Sequence, residues 1–238
     1  MQLSSYGITN QGKVRHTNED ALFIDEAHQV YAVADGLGGL PGGAQASQRI
    51  MQLLEQIMKR VDSSEERVDL TELINGINEI VAKEGLEAYP FTGTGSTLTI
   101  GQIVGNQLLI GHIGDSAAYL LRGEDLKRLT IDHTLAQEFI NREGESARAA
   151  MPPEYLHTLT RCVGQGKTLR VDNARITIVA GDRLLFCTDG LDKVISSEAI
   201  KEELARKQSS EEACHQLTQM ANDNEGPDNI TVIVIQIL

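Results

Sequence analysis

Hydrophobic positions form a series of short runs along this chain, most of them closed by glycine, aspartate or asparagine. Short apolar or alternating runs bounded by such turn formers predict β-strands. Gly105 and Asn106 separate two of the runs as a tight hairpin turn. The final run is apolar almost throughout, which predicts a central strand buried on both faces. The predicted strands span residues 21–24, 30–34, 95–103, 107–113, 117–121, 174–179, 183–187 and 230–237.

Apolar residues recur at intervals of three and four over residues 44–61 and again from about 70 to 86. This spacing predicts two amphipathic helices. The acidic stretch 62–69 joins them, and we expect it to be a solvated polar link. Two more helices are predicted at about 197–207 and 210–222.

Strands, a helical pair, more strands and a second helical pair follow one another along the chain, which predicts an α+β fold. We expect a four-layer α-β-β-α sandwich, in which two antiparallel β-sheets are flanked by antiparallel helix pairs. Residues 1–238 are predicted to form a single domain. Within it, residues 134–159 read as a helix to Arg142 followed by a stretch with Pro152 and Pro153 and no strand signal. This segment is predicted to be a partly mobile flap insert that bears on substrate choice.

Five aspartates lie at the ends of predicted strands: Asp20 and Asp228 precede strands, and Asp35, Asp115 and Asp189 follow them. The start of one antiparallel strand lies beside the end of its neighbour, so this mixture can gather all five at one sheet edge. Taken singly, each aspartate could equally be a turn residue. Carboxylates that are gathered together repel one another unless cations neutralise them. The five together therefore predict a shared metal site.

Oxygen ligands without histidine select hard ions such as Mg²⁺ or Mn²⁺. In a two-metal centre, ions roughly 3.5–4 Å apart activate a water between them, which suits phosphoester hydrolysis. Arg15 lies close in sequence to Asp20, and its planar guanidinium suits phosphate, although a surface ion pair is the simpler alternative. The glycine-rich stretch 36–43 matches neither a dinucleotide fingerprint nor a P-loop. We expect this stretch to bring the backbone close to a metal, so that the Gly36 carbonyl can contact it.

Composition and charge restrict the class of protein. With 41% hydrophobic and 23% charged residues, the 238-residue chain is expected to fold as an ordinary globular protein. A formal net charge of −13 argues against nucleic acids and anionic membranes as partners. No signal peptide or membrane span is visible, so we expect a cytoplasmic protein. Cys162, Cys187 and Cys214 show neither metal-ligand nor disulfide spacing and are expected to be reduced thiols.

Ser116 follows a predicted strand and invites a rival interpretation as the nucleophile of a serine esterase. Such an enzyme needs a histidine as base, and the only Asp-x-x-His spacing joins Asp25 to His28 in a predicted turn. The sequence gives no sign that this histidine has such a role, so the esterase hypothesis is disfavoured.

Short motifs distributed over nearly the whole chain resemble, in the same order, those of the metal-dependent protein phosphatases (PPM, type 2C), in their bacterial single-domain form. The motifs are RHTNED at 15–20, VADGLGG at 33–39, GSTL at 95–98, GDS at 114–116, LTIDH at 129–133, LTR at 159–161, TDGL at 188–191 and DNIT at 228–231. The resemblance implies the same sandwich fold and the hydrolysis of phosphoserine and phosphothreonine in proteins with Mn²⁺ or Mg²⁺. It implies phosphorylated protein partners, including a serine/threonine kinase or its targets, and a monomer.

The resemblance also implies a role for each motif residue. Arg15 is expected to bind the phosphate. Glu19 and Asn229 are expected to orient the metal ligands without binding the metals themselves. Asp115 and Asp189 are expected to hold a third, weaker ion. The expected ligands of the two main ions are Asp35, which bridges them, with Asp20, Asp189, Asp228 and the Gly36 carbonyl.

One position departs from the family pattern. Bacterial members usually carry a histidine where this chain has Leu40, and eukaryotic members carry one where it has Leu37. Neither leucine can protonate a leaving alkoxide, and general acid help is typically worth about 10²–10⁴-fold. His16 or water at the metals is a candidate substitute. The departure motivates an alternative hypothesis: a weakly active or inactive module that binds phosphoproteins or a partner.

Overall fold

The computed structural model describes residues 2–61 and 67–238, and within them the chain forms strands and helices in the predicted succession. The strands are β1 (Leu3–Asn10), β2 (Asp20–Asp25), β3 (Val30–Asp35), β4 (Leu98–Val104), β5 (Gln107–Ile113), β6 (Ala117–Arg122), β7 (Asp125–Arg128), β8 (Asp172–Thr177), β9 (Arg183–Cys187) and β10 (Ile230–Ile237). The helices are α1 (Gly43–Met58), α2 (Leu70–Ala88), α3 (Leu135–Glu143), α4 (Asp189–Asp192), α5 (Ser197–Ala205) and α6 (Ser210–Asp223), with two short 3₁₀ helices at Glu145–Ala150 and Pro153–Leu156.

The strands pair into two sheets, with orders β1-β10-β9-β6-β7 and β2-β3-β4-β5-β8. Every strand pair is antiparallel. The turn predicted at Gly105 and Asn106 joins β4 to β5, where Val104 pairs with Gln107 and Gly105 has a φ of 61°. The predicted fold class is confirmed.

Three hydrophobic clusters separate the four layers. One lies between α1, α2 and the second sheet, with Leu54 and Ile74 fully buried. Another lies between the two sheets and contains Phe186, whose burial stabilises the fold by about 1.5–3 kcal/mol. The third lies between the first sheet and helices α4 to α6. In β10, Val232 faces these helices and Ile233 faces the other sheet, as expected for a strand that is buried on both faces.

Local signals fix where the helices begin. The side chain of Asp69 accepts the backbone N–H groups of Thr71 and Glu72 and so caps α2. The first helix ends at Met58, earlier than predicted. Most of the predicted acidic link, residues 62–66, lies outside the described residues. The edge strands β1 and β7 were not predicted, because neither has a continuous apolar run: all of β1 is at least partly exposed and β7 is mostly polar.

The segment predicted as a flap consists of α3 and the two 3₁₀ helices. A single β-bridge joins Thr134 to Leu159, so the two ends of the segment lie side by side. The Thr134 hydroxyl accepts the backbone N–H of Gln137 and begins α3. The two ends of the insert therefore lie together, next to the loop that carries Asp115, since the His133 N–H donates to the Gly114 carbonyl.

Candidate metal centre

Asp20 and Asp35 lie opposite each other across two neighbouring strands. Asp20 begins β2, Asp35 ends β3, and the antiparallel register pairs them directly. Thr97 holds the second of these strand ends, because its hydroxyl accepts the Asp35 backbone N–H at 2.9 Å and its own N–H donates to the Asp35 carbonyl at 2.8 Å. The prediction that strand ends would bring these carboxylates together agrees with this register. The prediction of one shared sheet edge is wrong, because Asp20 and Asp35 lie in one sheet, whereas Asp189 and Asp228 lie at strand ends of the other.

Asp189 and Asp228 lie at the end of the other sheet, where β9 and β10 pair. Asp189 follows β9, and Asp228 stands two residues before β10. Gly190 makes this close approach possible, since a Cβ at that position would lie 1.9 Å from the Asn229 carbonyl oxygen. The Thr188 hydroxyl donates to Asp20 at 2.7 Å and so links the ends of the two sheets.

Four of the five aspartates line one open cavity of about 670 Å³, and the fifth, Asp20, is buried behind it with 5% of its surface exposed. Three residues of the flap segment also line the cavity: His157, Thr158 and Leu159. The other lining residues are Arg15, Glu19, Asp35, Gly36, Leu37, Gly38, Gly39, Leu40, Thr97, Asp115, Cys162, Asp189, Asp228 and Asn229.

Asn229 and Glu19 connect the loops beside the aspartates through hydrogen bonds to backbone atoms. The Asn229 side-chain oxygen accepts the Glu19 backbone N–H at 2.8 Å, and its amide nitrogen donates to the Gln11 and Thr17 carbonyls. The Gly36 N–H donates to the Glu19 carbonyl at 3.0 Å. Only glycine fits at position 36, because a Cβ there would lie 2.2 Å from the Gly43 carbonyl oxygen. These bonds hold the two loops that flank Asp20 and Asp35.

Burial and mutual repulsion raise the pKa values of the carboxylates and so disfavour their charged forms. Burial raises the pKa of Asp20 to about 7, against the hydrogen bond from Thr188, which lowers it. Burial and then the charge of Asp20 raise the pKa of Asp35 well above its usual value. Burial and then the charge of Asp189 raise the pKa of Asp115 to about 6. A cation bound among these groups would reverse the effect by stabilising their charged forms.

Two basic side chains already contact three of the aspartates. Arg15 donates to Asp228 at 2.7 Å, while about half of its own side chain stays exposed toward the cavity. Lys193 donates to Asp189 at 3.0 Å and also contacts Asp115. Burial lowers the pKa of Lys193, but the charges of Asp189 and Asp115 outweigh this and raise it above its ordinary value. Among the described residues, no ion pair involves Asp20 or Asp35.

The residues fit two hard metal ions better than three. One buried oxygen of Asp20 and one of Asp189 have no hydrogen-bond partner, although buried acceptors normally have one. The donors are all oxygens, as Mn²⁺ and Mg²⁺ prefer. Over residues 2–61 and 67–238, no three acidic, histidine or cysteine side chains are already arranged to hold a metal ion. The third-ion position does not fit, because the Lys193 ammonium contacts both of its expected ligands.

Several contributors escaped the sequence analysis. Lys193 stands one helical turn after Asp189, and that i, i+4 spacing was the available signal. His157 lines the cavity, whereas the candidate substitute acid His16 does not. His157 lies in the flap segment, for which the hydrophobic pattern gives no position relative to the strand ends.

Two stretches of the motif set, at 129–133 and 159–161, lie beside the Asp115 loop. His133 Nδ1 accepts the Gly114 N–H at 3.0 Å, and the His133 N–H donates to the Gly114 carbonyl at 2.8 Å. Arg161 donates to Asp172 at 2.7 Å beside this histidine. Motif residues outside the cavity therefore position a residue within it.

The structure gives no support to the esterase hypothesis. Ser116 is completely buried, and its hydroxyl lies 2.7 Å from that of Thr97 instead of facing the cavity. His28 bonds to Asp25 at 2.7 Å in the turn after β2. All three cysteines are free thiols, as predicted. Within the described ranges, no helix has both the length and the apolarity that crossing a membrane requires.

Comparison with known proteins agrees with the motifs. A sequence profile described as "Protein phosphatase 2C" matches residues 11–232. The serine/threonine phosphatase stp of Listeria monocytogenes is 30% identical over 235 residues, which cover 96% of this chain and 93% of that protein. The serine/threonine protein phosphatase PstP of Mycobacterium tuberculosis is 32% identical over 97% of this chain and 44% of that longer protein.

Solved structures give the same result. PppA of Pseudomonas aeruginosa, described as a key regulatory component of T6SS, superposes with a TM-score of 0.87 at 27% identity, covering 100% of this chain and 99% of that chain. The catalytic domain of PstP in complex with two manganese ions superposes with a TM-score of 0.83 at 32% identity, covering 99% and 98%. The predicted resemblance is confirmed: this chain belongs to the protein phosphatase 2C family, a family of metal-dependent protein phosphatases.

Proposed function

We propose that this chain is a Mn²⁺- or Mg²⁺-dependent hydrolase of phosphoserine and phosphothreonine in proteins. The observation that carries the proposal is the meeting of five carboxylates from two sheets, of which four line one open cavity and Asp20 is buried behind it, with unpartnered buried oxygens on Asp20 and Asp189. The relatives named serine/threonine phosphatases support the substrate class. Two ions bound here would lower the pKa of a water and stabilise negative charge on the phosphoryl group.

The ligands proposed for two ions are Asp20, Asp35, Asp189, Asp228 and the Gly36 carbonyl. Arg15 is proposed to bind the phosphate: its guanidinium lines the cavity, and its bond to Asp228 orients it there. A planar guanidinium can donate two parallel hydrogen bonds to phosphate oxygens. Glu19 and Asn229 are proposed to keep the ligand loops in register, because the Glu19 backbone N–H donates to the Asn229 side-chain oxygen.

Leu40 lines the cavity but cannot donate a proton. The leaving group therefore needs a proton from another residue. We propose His157, the one histidine of the described residues that lines the cavity. It is exposed and follows the second 3₁₀ helix of the flap, so it can approach a substrate bound over the carboxylates. A protein substrate would contact this same flap, which links proton donation to substrate binding.

The experiment measures Mn²⁺-dependent phosphate release from p-nitrophenyl phosphate and from a phosphothreonine peptide, with Asp35→Ala as the comparison. We expect activity in the wild-type protein and its loss in the variant. Equal rates in both proteins would contradict the proposal.

The alternative of a binding module without efficient turnover is not favoured by the relatives, which are named as phosphatases. Leu40→His separates the two hypotheses, because it restores a proton donor at the position that the family uses. We expect little gain in peptide turnover if His157 already supplies the proton. A gain approaching the general-acid factor of about 10²-fold would favour the weakly active alternative.

The partners follow from this activity. We propose that phosphorylated proteins, including a serine/threonine kinase or its targets, are the substrates, and that the protein acts in the cytoplasm as a monomer. Three free thiols agree with a reducing compartment. Light scattering coupled to gel filtration tests the monomer directly.

A further inference from the structure

The Lys193 ammonium joins two carboxylates that lie in different connections of the fold. Asp115 lies in the crossover from β5 of one sheet to β6 of the other, and Asp189 follows β9, which pairs with β6. The ammonium contacts both and lies 3.5 Å from the Leu156 carbonyl of the flap. One side chain thus connects the crossover between the sheets, the start of α4 and the flap.

This contact differs from an ordinary surface ion pair. Only 6% of the Asp115 side chain and 14% of the Asp189 side chain are exposed, against 24% for Lys193. Surface pairs contribute little, but a cation between two largely buried carboxylates relieves a repulsion that water cannot screen. The ammonium therefore stands where a divalent ion would otherwise be needed.

The backbone beside Lys193 is held in place. The neighbouring residue Asp192 accepts the Tyr119 hydroxyl at 2.9 Å and lies 3.3 Å from the Arg128 guanidinium. These bonds anchor α4, so that Lys193 at its end is directed toward the Asp115 loop. His133 fixes the opposite side of the contact by holding Gly114.

We propose that Lys193 is a built-in substitute for a third metal ion, so that this phosphatase binds two ions and uses an ammonium at the third cation position. The inference rests on the proposed two-metal site. The Asp115–Lys193–Asp189 contact is then independent of metal concentration and keeps the flap base attached to the cavity wall. Lys193 acts as a positioning residue, since it orients two carboxylates and need not touch the substrate.

The test counts Mn²⁺ ions bound per chain, by equilibrium dialysis with metal analysis, in wild type, Lys193→Met and the matched control Lys127→Met on exposed strand β7. Methionine keeps an unbranched side chain and removes the charge. We expect two ions in wild type and in the control, and one more in Lys193→Met. The double variant Lys193→Met/Asp115→Asn should lose the added ion.

The difference between variant and wild type decides the inference, whereas the number of ions in wild type decides the proposed function. No added ion in Lys193→Met, or three ions in wild type, would overturn the inference. Wild type that binds no Mn²⁺ would overturn the proposed function instead. If Lys193→Met fails to fold, Lys193→Gln is measured in its place.

A second measurement needs no metal. In EDTA, Lys193→Met should lower the melting temperature by about 4 °C or more, because two buried carboxylates lose their cation, and saturating Mn²⁺ should restore it. Lys127→Met should leave the melting temperature unchanged. Equal melting temperatures for Lys193→Met and Lys127→Met in EDTA would contradict the role of Lys193.

Discussion

Two pairs of carboxylates in one cavity differ in how their charge is balanced. Asp20 and Asp35 face each other across adjacent strands, and no basic side chain of the described residues pairs with either. Asp115 and Asp189 share the ammonium of Lys193. The negative charge of the first pair is balanced only when a cation binds from solution. The charge of the second pair is balanced by the Lys193 ammonium. Acidic residues that gather at one site therefore need not all be metal ligands.

The largest effect is expected from the pair that lacks a cation. Asp35→Asn removes the charge without changing the shape of the side chain, and we expect Mn²⁺-dependent hydrolysis of p-nitrophenyl phosphate to fall by at least about 100-fold, because loss of even an indirect metal contact costs 10–100-fold. Asp125→Asn, on exposed strand β7, should retain full activity. A loss shared by both variants would show that the effect is general and not tied to this pair.

Proton donation gives a comparable effect that depends on the substrate. His157→Gln should slow release of phosphate from a phosphothreonine peptide by about 10²-fold, the lower end of the range for general acids. Hydrolysis of p-nitrophenyl phosphate should change little, because its leaving group needs no proton. His16→Gln is the matched control, since His16 does not line the cavity. Equal losses on both substrates would contradict the assignment.

Metal binding should stabilise the protein through the first pair. With Mn²⁺ at about 100 times its dissociation constant, each site adds about 2.7 kcal/mol to the free energy of unfolding, which raises the melting temperature by roughly 5–10 °C. Differential scanning fluorimetry with and without EDTA measures the shift. Asp20→Asn should show a clearly smaller shift, and a full shift in this variant would exclude Asp20 as a ligand.

In metal-free protein the two groups of charges should give opposite signs. At pH 8, Asp20→Asn should raise the free energy of unfolding by about 1–3 kcal/mol, because it removes a buried charge that is hydrogen-bonded by Thr188 but balanced by no basic side chain of the described residues. Lys193→Met should lower it, because it removes the cation of the second pair. Denaturant titrations in EDTA compare the two variants with wild type. If both variants changed the free energy of unfolding in the same direction, the two pairs would not differ in how their charge is balanced.

The buried carboxylate of Asp20 also predicts a dependence of stability on pH. The pKa of Asp20 is about 7 in the folded protein and about 4 when unfolded, so the folded state holds more protons between these values. The free energy of unfolding of metal-free protein should therefore decrease as pH rises from about 4 to about 7. Denaturant titrations in EDTA at pH 5 and pH 8 measure the decrease, and Asp20→Asn should reduce it. An unchanged decrease in the variant would assign it to other groups.

The sequence was sufficient for the fold because period-2 and period-3.6 patterns reflect burial, which is what packs the layers. It also predicted that Asp20 and Asp35 would lie close together, since the start of one antiparallel strand lies beside the end of its neighbour. It missed β1, whose residues are all partly exposed or exposed. It missed Lys193 because a lysine shortly after an aspartate is common on surfaces, and only the tertiary fold shows Asp115 on its other side. His157 was missed because flap geometry is not encoded in hydrophobic periodicity.

The hydrogen bond from Thr188 to Asp20 crosses from the first sheet to the second at the buried floor of the cavity. The sandwich is therefore fastened at the same place where the chemistry is proposed to occur. A shift of one sheet relative to the other would break this hydrogen bond and move Asp20 away from Asp189 and Asp228. The geometry of the proposed metal centre therefore depends on how the two sheets are aligned.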